Sequence, residues 1–246
     1  MKIKKVGIIL RKDSEEPKLI AAELSEWFFA RSIDTVIDRV TEDLDLLVIL
    51  GGDGTLLHVA EQACSLSIPV VGINLGDLGF LTEVARDERL VALEGVLAGE
   101  IAVEERMMLK VRLRTQQKKR SWVYALNDVV ITKGNIDRLI QLSAWADQEL
   151  ITTYRADGLI FSTPTGATAY NLSAGGPIVH PSLDSILVTP ICPFMLESRP
   201  VLLSPKTKLT TRLVKGGSDN VKVIIDGRSI WDMREKDVLE VREATK

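Results

Sequence analysis

Asp45-Leu46-Leu47-Val48-Ile49-Leu50-Gly51-Gly52-Asp53-Gly54-Thr55 is the stretch from which the fold can be read. Leu46 to Leu50 is a continuous apolar run of strand length, the pattern of a strand covered on both faces in a parallel sheet. In open sheets of that kind ligands bind beyond the carboxyl ends of the strands. There the chain places Gly51, Gly52 and Gly54 around one carboxylate, which permits a tight turn and close approach to a ligand. Thr55 is suited to cap a helix beginning near Leu56, with Asp53 at a loop tip; a plain Asp-Gly turn with a solvated aspartate is the simpler alternative. No lysine follows as in a Walker A loop, and Leu57 stands where the dinucleotide fingerprint needs its third glycine. A carboxylate in this loop suits abstracting or orienting a hydroxyl proton.

Outward from this stretch, Val6 to Leu10 reads as a buried strand, and Pro17 to Arg31 as a helix with Ile20, Leu24, Trp27 and Phe28 on one face. Strands are expected near Thr35 to Ile37 and Pro69 to Ile73, with a helix from Thr55 to Ser65 between. This alternation predicts a parallel, helix-covered, Rossmann-like sheet. A second glycine-bearing loop, Asn74-Leu-Gly76-Asp-Leu-Gly79-Phe80-Leu-Thr82, should leave the same sheet edge as Asp53, and a helix from Asp87 to Leu97 should close at Gly99.

The pattern then changes. From Leu109 to Leu113 apolar residues alternate with Lys110 and Arg112, as in a half-exposed antiparallel strand. Strand signals recur at Val123 to Ile131, Leu139 to Ala146, Leu159 to Ser162, Ile186 to Thr189, Lys208 to Val214 and Val221 to Ile225. An α/β domain over 1–100 and a mainly β, sandwich-type domain over 101–246 are therefore expected. Gln116 to Arg120 reads as a solvated hairpin loop.

A net charge of -3 over 246 residues argues against a general nucleic-acid binder. Cys64 and Cys192 lack metal-ligand spacing, and two isolated histidines, His58 and His180, make neither a zinc cluster nor a serine triad. No apolar run approaches the ~18 residues needed to span a membrane. A reduced, cytoplasmic, soluble protein is expected.

The later half carries a second constellation, Asp157-Gly-Leu-Ile-Phe-Ser162-Thr-Pro-Thr165-Gly-Ala-Thr168-Ala-Tyr170-Asn-Leu-Ser173-Ala-Gly-Gly-Pro177. Its hydroxyls and backbone amides around a brief helix could hold phosphate or ribose, or could serve only to cap and pack that helix. At Asn127-Asp128 an amide and a carboxylate interrupt apolar sequence; an amide can pair with a base edge and a carboxylate can accept from a ribose diol, although a strand-end turn would look the same.

Through Gly-Gly-Asp-Gly-Thr, Asn-Leu-Gly-Asp-Leu-Gly-Phe, Asn127-Asp128, the Asp157 to Pro181 run, Thr189-Pro-Ile-Cys-Pro193 and Asp226-Gly227, the chain resembles the NAD kinases, which make NADP from NAD. The first motif is shared with phosphofructokinases and lipid kinases, whereas the Ser162 to Pro177 run is highly specific. The resemblance implies that Asp53 is the general base on the 2′-hydroxyl of the adenosine ribose. It also implies that Asn127 and Asp128 hold adenosine, Asp157 the nicotinamide amide, and that Thr168, Ala169, Tyr170, Asn171 and Ser173 run along the NAD, with Phe80 lining the pocket. Gly52, Gly54 and Thr55 belong to the same loop, and His58, Arg138, Arg155 and Arg228 fall where such enzymes contact the dinucleotide. The implied partners are NAD and ATP, with magnesium arriving on the ATP, in a homodimer or homotetramer. Asp128, Ala167, Phe194 and Arg228 depart from the family pattern of glutamate, serine, histidine and glutamine, and bear on the choice between NAD and NADH. A lipid or sphingoid kinase and a non-catalytic dinucleotide sensor are the alternative readings.

Overall fold

The computed structural model describes residues 3–12, 15–76, 79–116, 118–134, 138–195, 197–215 and 221–244. Asp77 and Leu78 of the second glycine loop, and Gln117 of the basic hairpin, lie outside the described residues. The chain divides into two compact units that part after Glu105.

The first unit runs β1 (Lys5–Leu10), α1 (Glu16–Phe29), β2 (Asp34–Ile37), β3 (Leu46–Leu50), α2 (Asp53–Leu66), β4 (Val70–Asn74), β5 (Val84–Ala85) and α3 (Arg89–Ala98). Its strands form a sheet of order β2-β1-β3-β4-β5, and every pairing in it is parallel. All of Leu46 to Leu50 is buried because side chains alternate across the sheet and both faces are covered. Val6, Ile8, Leu46, Val48 and Leu50 share a core with Ile20, Leu24 and Phe28 of α1 and Leu93 of α3. Pro17 in the first turn of α1 loses no helical hydrogen bond there, and Gly99 ends α3 at φ 75, a left-handed conformation that favours glycine.

The second unit is built of β6 (Leu109–Arg114), β7 (Val123–Ala125), β8 (Asp128–Lys133), β9 (Ile140–Ala146), β10 (Glu149–Ala156), β11 (Gly158–Ser162), α4 (Tyr170–Ser173), β12 (Ile186–Ile191), β13 (Val201–Leu203), β14 (Leu209–Lys215), β15 (Val221–Ile225), β16 (Arg228–Met233) and β17 (Val238–Glu243). They form two antiparallel sheets, β10-β9-β14-β17-β6-β7 and β13-β12-β11-β8-β15-β16. Inward residues of both, among them Leu109, Val111, Leu142, Val129, Phe161 and Val223, make one core, so the unit is a sandwich. The second sheet is covered on its other face too: Ala174 packs on Val130 and Ile160, and Ala167 and Val179 join Leu187. This is why β11 and β12 are buried along their whole length, and why the hydroxyl-rich run lies on that sheet.

Two local expectations are corrected. The apolar run Val123 to Ile131 is not one strand but β7 and β8, broken at Leu126-Asn127. Thr55 is not the helix cap: Gly52 takes that position with extended backbone, Asp53 is the first residue of α2, and the Thr55 N–H already bonds the Gly52 carbonyl at 2.9 Å. A carboxylate in the first turn is favoured by the helix dipole.

Candidate active site

The first centre stands at the carboxyl edge of the parallel sheet. β3 and β4 pair in parallel through Leu50 and Ile73, so the loops that follow them leave side by side. The Asp53 carboxylate binds the second loop. Its Oδ2 accepts the Phe80 N–H at 3.0 Å, while Oδ1 accepts the Leu81 N–H at 3.1 Å, the Thr82 N–H at 3.0 Å and the Thr82 hydroxyl at 3.0 Å. A carboxylate offers about four acceptor positions over its two oxygens. Oδ1 is therefore saturated and the open acceptor direction belongs to Oδ2. Gly79 is needed for this approach, since a Cβ there would lie 2.1 Å from Asp53 Oδ1. Gly54 is exposed, Gly52 and Thr55 are half-buried, and His58 is exposed on α2. Phe80 is 68% exposed, so an apolar ring is held in solvent beside the carboxylate that its own amide binds.

The second centre is the turn between β7 and β8. Asp226, at φ 44, accepts the N–H groups of Leu126, Asn127 and Asp128 at 2.8, 2.9 and 3.0 Å. Thr163 ties the turn from the other side, with its N–H on the Asn127 carbonyl at 3.0 Å and its hydroxyl on the Leu126 carbonyl at 2.6 Å. Gly166 sits so close that a Cβ would meet the Asn127 carbonyl at 2.1 Å. The backbone of the turn is thus held by residues just beyond the ends of β11 and β15, and the Asn127 side chain is left with a buried Oδ1 that has no hydrogen-bond partner among the described residues. Such an atom costs free energy until a donor reaches it. Asp128 is buried, and burial first and the Asp226 charge second push its carboxyl up to about 7. Burial also raises Asp226, against the lowering pull of the three amides and of Arg228.

Along the hydroxyl-rich run the roles divide by exposure. Ser162, Thr163 and Thr165 are buried, and the hydroxyls of Ser162 and Thr163 bond backbone carbonyls. Thr168 and Ala169 are half-buried, whereas Tyr170 and Ser173 are exposed on the four-residue α4. Asn171 is fully buried: its amide donates to the carbonyls of Ala167 and Pro177 at 3.1 and 3.0 Å and accepts from the Thr189 hydroxyl at 2.7 Å. Both donors of Asn171 therefore hold the run together. Asp157 is paired with Lys133 at 2.5 Å. Arg138 and Arg155 are exposed, and the Arg155 guanidinium lies 4.8 Å over the ring of Phe194. Arg228 begins β16 beside Asp226.

Thr82, Asn74, Thr163 and Asp226 hold these centres and were not singled out from the sequence. The legible signal was their place inside the motifs themselves. Among the described residues no group of three or more His, Cys, Asp or Glu side chains is placed to hold a metal ion, and no helix is long and apolar enough to cross a membrane.

Comparison with known proteins follows the same division. The ATP-NAD kinase N-terminal domain matches residues 11–101, and the ATP-NAD kinase C-terminal domain matches residues 126–246. The NAD kinase of Heliobacterium modesticaldum is 42% identical over 256 residues, covering 98% of this chain and 90% of its own. That of Geotalea daltonii is 40% identical over 258 residues with the same coverage. Among solved structures, yeast NADH kinase complexed with NADH is similar with a TM-score of 0.90 at 27% identity, over 100% of this chain and 81% of that one. An NAD kinase from Archaeoglobus fulgidus in complex with ATP shares the fold, with a TM-score of 0.78 at 22% identity, over 98% of this chain and 90% of that one.

Proposed function

The chain belongs to the NAD kinase family, and we propose that it transfers the γ-phosphoryl group of ATP to the 2′-hydroxyl of the adenosine ribose of NAD, giving NADP and releasing ADP. The observation that carries this reading is the Asp53 carboxylate, fixed by four donors at the carboxyl edge of the sheet with Oδ2 open. Phosphoryl transfer needs an acceptor hydroxyl aligned with the phosphorus and a base within hydrogen-bond reach of its proton. Asp53 Oδ2 takes that proton as the 2′-oxygen attacks. A general base typically contributes ~100 to 10,000-fold, and alignment and electrostatics supply the rest.

In this reading Asn127 and Asp128 hold adenosine, the unpartnered Asn127 Oδ1 accepting from an N–H of the base. Asp128, whose carboxyl titrates at about 7, meets a ribose or base group as donor or acceptor. Asp157 binds the nicotinamide amide, Thr168, Ala169, Tyr170 and Ser173 contact the dinucleotide, and Asn171 keeps their backbone in place. His58, Arg138, Arg155 and Arg228 are further contacts, and Phe80 lines the pocket. Magnesium belongs to the ATP substrate and neutralises phosphate charge. The enzyme acts in the cytoplasm as a homodimer or homotetramer.

The test is to incubate the protein with magnesium-ATP and, in separate reactions, NAD, NADH or a sphingoid base, and to assay phosphorylated product. Product formation from NAD or NADH supports the proposal. Dinucleotide binding without product would mark a sensor, and phosphorylation of a sphingoid base in its place would mark a lipid kinase.

A further inference from the structure

We infer that Thr82 and Asn74 are positioning residues for this reaction, forming a directed hydrogen-bond relay that aims the Asp53 carboxylate; the inference rests on Asp53 being the base proposed above. Thr82 is fully buried and Asn74 is 4% exposed. Burying polar side chains is unfavourable unless their hydrogen bonds are made. Here the bonds run in one direction. The Gly76 N–H donates to Asn74 Oδ1 at 2.7 Å, which orients the amide so that Asn74 Nδ2 donates to Thr82 Oγ1 at 2.9 Å. With that donor on its oxygen, the single Thr82 hydroxyl proton is directed to Asp53 Oδ1, 3.0 Å away.

The relay fixes the plane of the carboxylate and with it the direction in which its open acceptor position points. Three donors converge on one oxygen and the Phe80 amide meets the other, so turning the carboxylate plane by a quarter revolution would break the Thr82 and Phe80 bonds together. Packing holds the same geometry. A Cβ at Gly72 would meet Thr82 Cγ2 at 2.6 Å and Thr82 Cα at 2.8 Å, so β4 lies directly against Thr82. Neither Thr82 nor Asn74 touches the proton being moved. Both act through Asp53.

A relay that only helped the loop to fold would change stability and act independently of Asp53, so the test is a double-substitution cycle. The rate and the KM for NAD are measured for wild type, Thr82→Val, Thr82→Ser, Asp53→Asn and the double variant Asp53→Asn/Thr82→Val, with melting temperatures alongside. The expected result is a kcat lowered roughly 10-fold by Thr82→Val with KM for NAD changed less than about twofold, as for a misaimed catalytic group. Thr82→Ser, which keeps the hydroxyl, restores most of the rate. In the Asp53→Asn background Thr82→Val has almost no further effect. An unchanged kcat for Thr82→Val, or an equal fold-loss with and without Asp53, overturns the relay. Should Thr82→Val not fold, Thr82→Ala and Asn74→Ala are read by the same cycle. If Asp53→Asn is slow while the Thr82 variants are normal, the relay alone fails; if Asp53→Asn turns over normally, the parent reading fails and the relay with it.

Discussion

Asp226 and Asp128 are locked to one another through the backbone: Asp226 Oδ1 accepts the Asp128 N–H at 3.0 Å, and the Asp226 N–H donates to the Asp128 carbonyl at 3.0 Å. Two carboxylates are thereby kept close, and Asp128 is pushed up to about 7 by burial and then by its neighbour's charge. Since the folded value lies above the ordinary 3.8, the protonated form is the one the fold favours. Stability from this group is fully present below pH 3.8 and is lost as pH rises to about 7.

Asp128→Asn replaces the protonated acid with a neutral amide and should remove that loss. Denaturant unfolding from pH 4 to pH 8 is expected to show wild type losing stability relative to the variant across the window. Each tenfold rise that the fold brings to the proton affinity of Asp128 is worth about 1.4 kcal/mol of that difference. Parallel pH profiles for the two proteins would contradict the raised Asp128 carboxyl.

Asp226→Asn keeps a side chain that tolerates the left-handed backbone at φ 44 but exchanges one acceptor oxygen for an amide nitrogen facing the Leu126 N–H. Hydrogen bonds to charged groups contribute about 1.5–3 kcal/mol each, so a loss of roughly 2 kcal/mol in unfolding free energy is expected. The Asn127-Asp128 turn should loosen with it and raise the KM for NAD. Unfolding curves and KM values that match wild type would rule out Asp226 as the clamp.

Gly79→Ala places a methyl group 2.1 Å from Asp53 Oδ1 and 2.8 Å from Thr82 Oγ1, well inside contact distance. Asp53 must then swing away from the loop. Steady-state kinetics should show kcat reduced by roughly 10- to 100-fold, the size of effect that a misplacement near 1 Å produces. Full activity in this variant would show that the Asp53 clamp is dispensable.

The parallel sheet was legible because Val6 to Leu10, Leu46 to Leu50 and Pro69 to Ile73 are apolar runs separated by helical periodicity, and that pattern is local. What was missed depends on distant partners. Asn127-Asp128 marks an interruption of the apolar run in the sequence, but the carboxylate that holds the break is Asp226, 99 residues from Asn127, and that partner is not local. β10 escaped because a bulge between Leu150 and Thr152 interrupts its alternation, and β13 is only three residues long. At the site Asp53 stood out as a carboxylate among glycines. Thr82 and Asn74 did not, because in sequence they are ordinary loop residues, and only the fold buries them against Asp53.

The most direct measurement is the rate of NADP formation from magnesium-ATP and NAD by wild type and by Asp53→Asn, with NAD binding followed in parallel. Asp53→Asn should bind NAD nearly as wild type does and turn over at least ~100-fold more slowly, the contribution of a lost general base. Turnover close to wild type would contradict the assignment of Asp53 and the mechanism built on it.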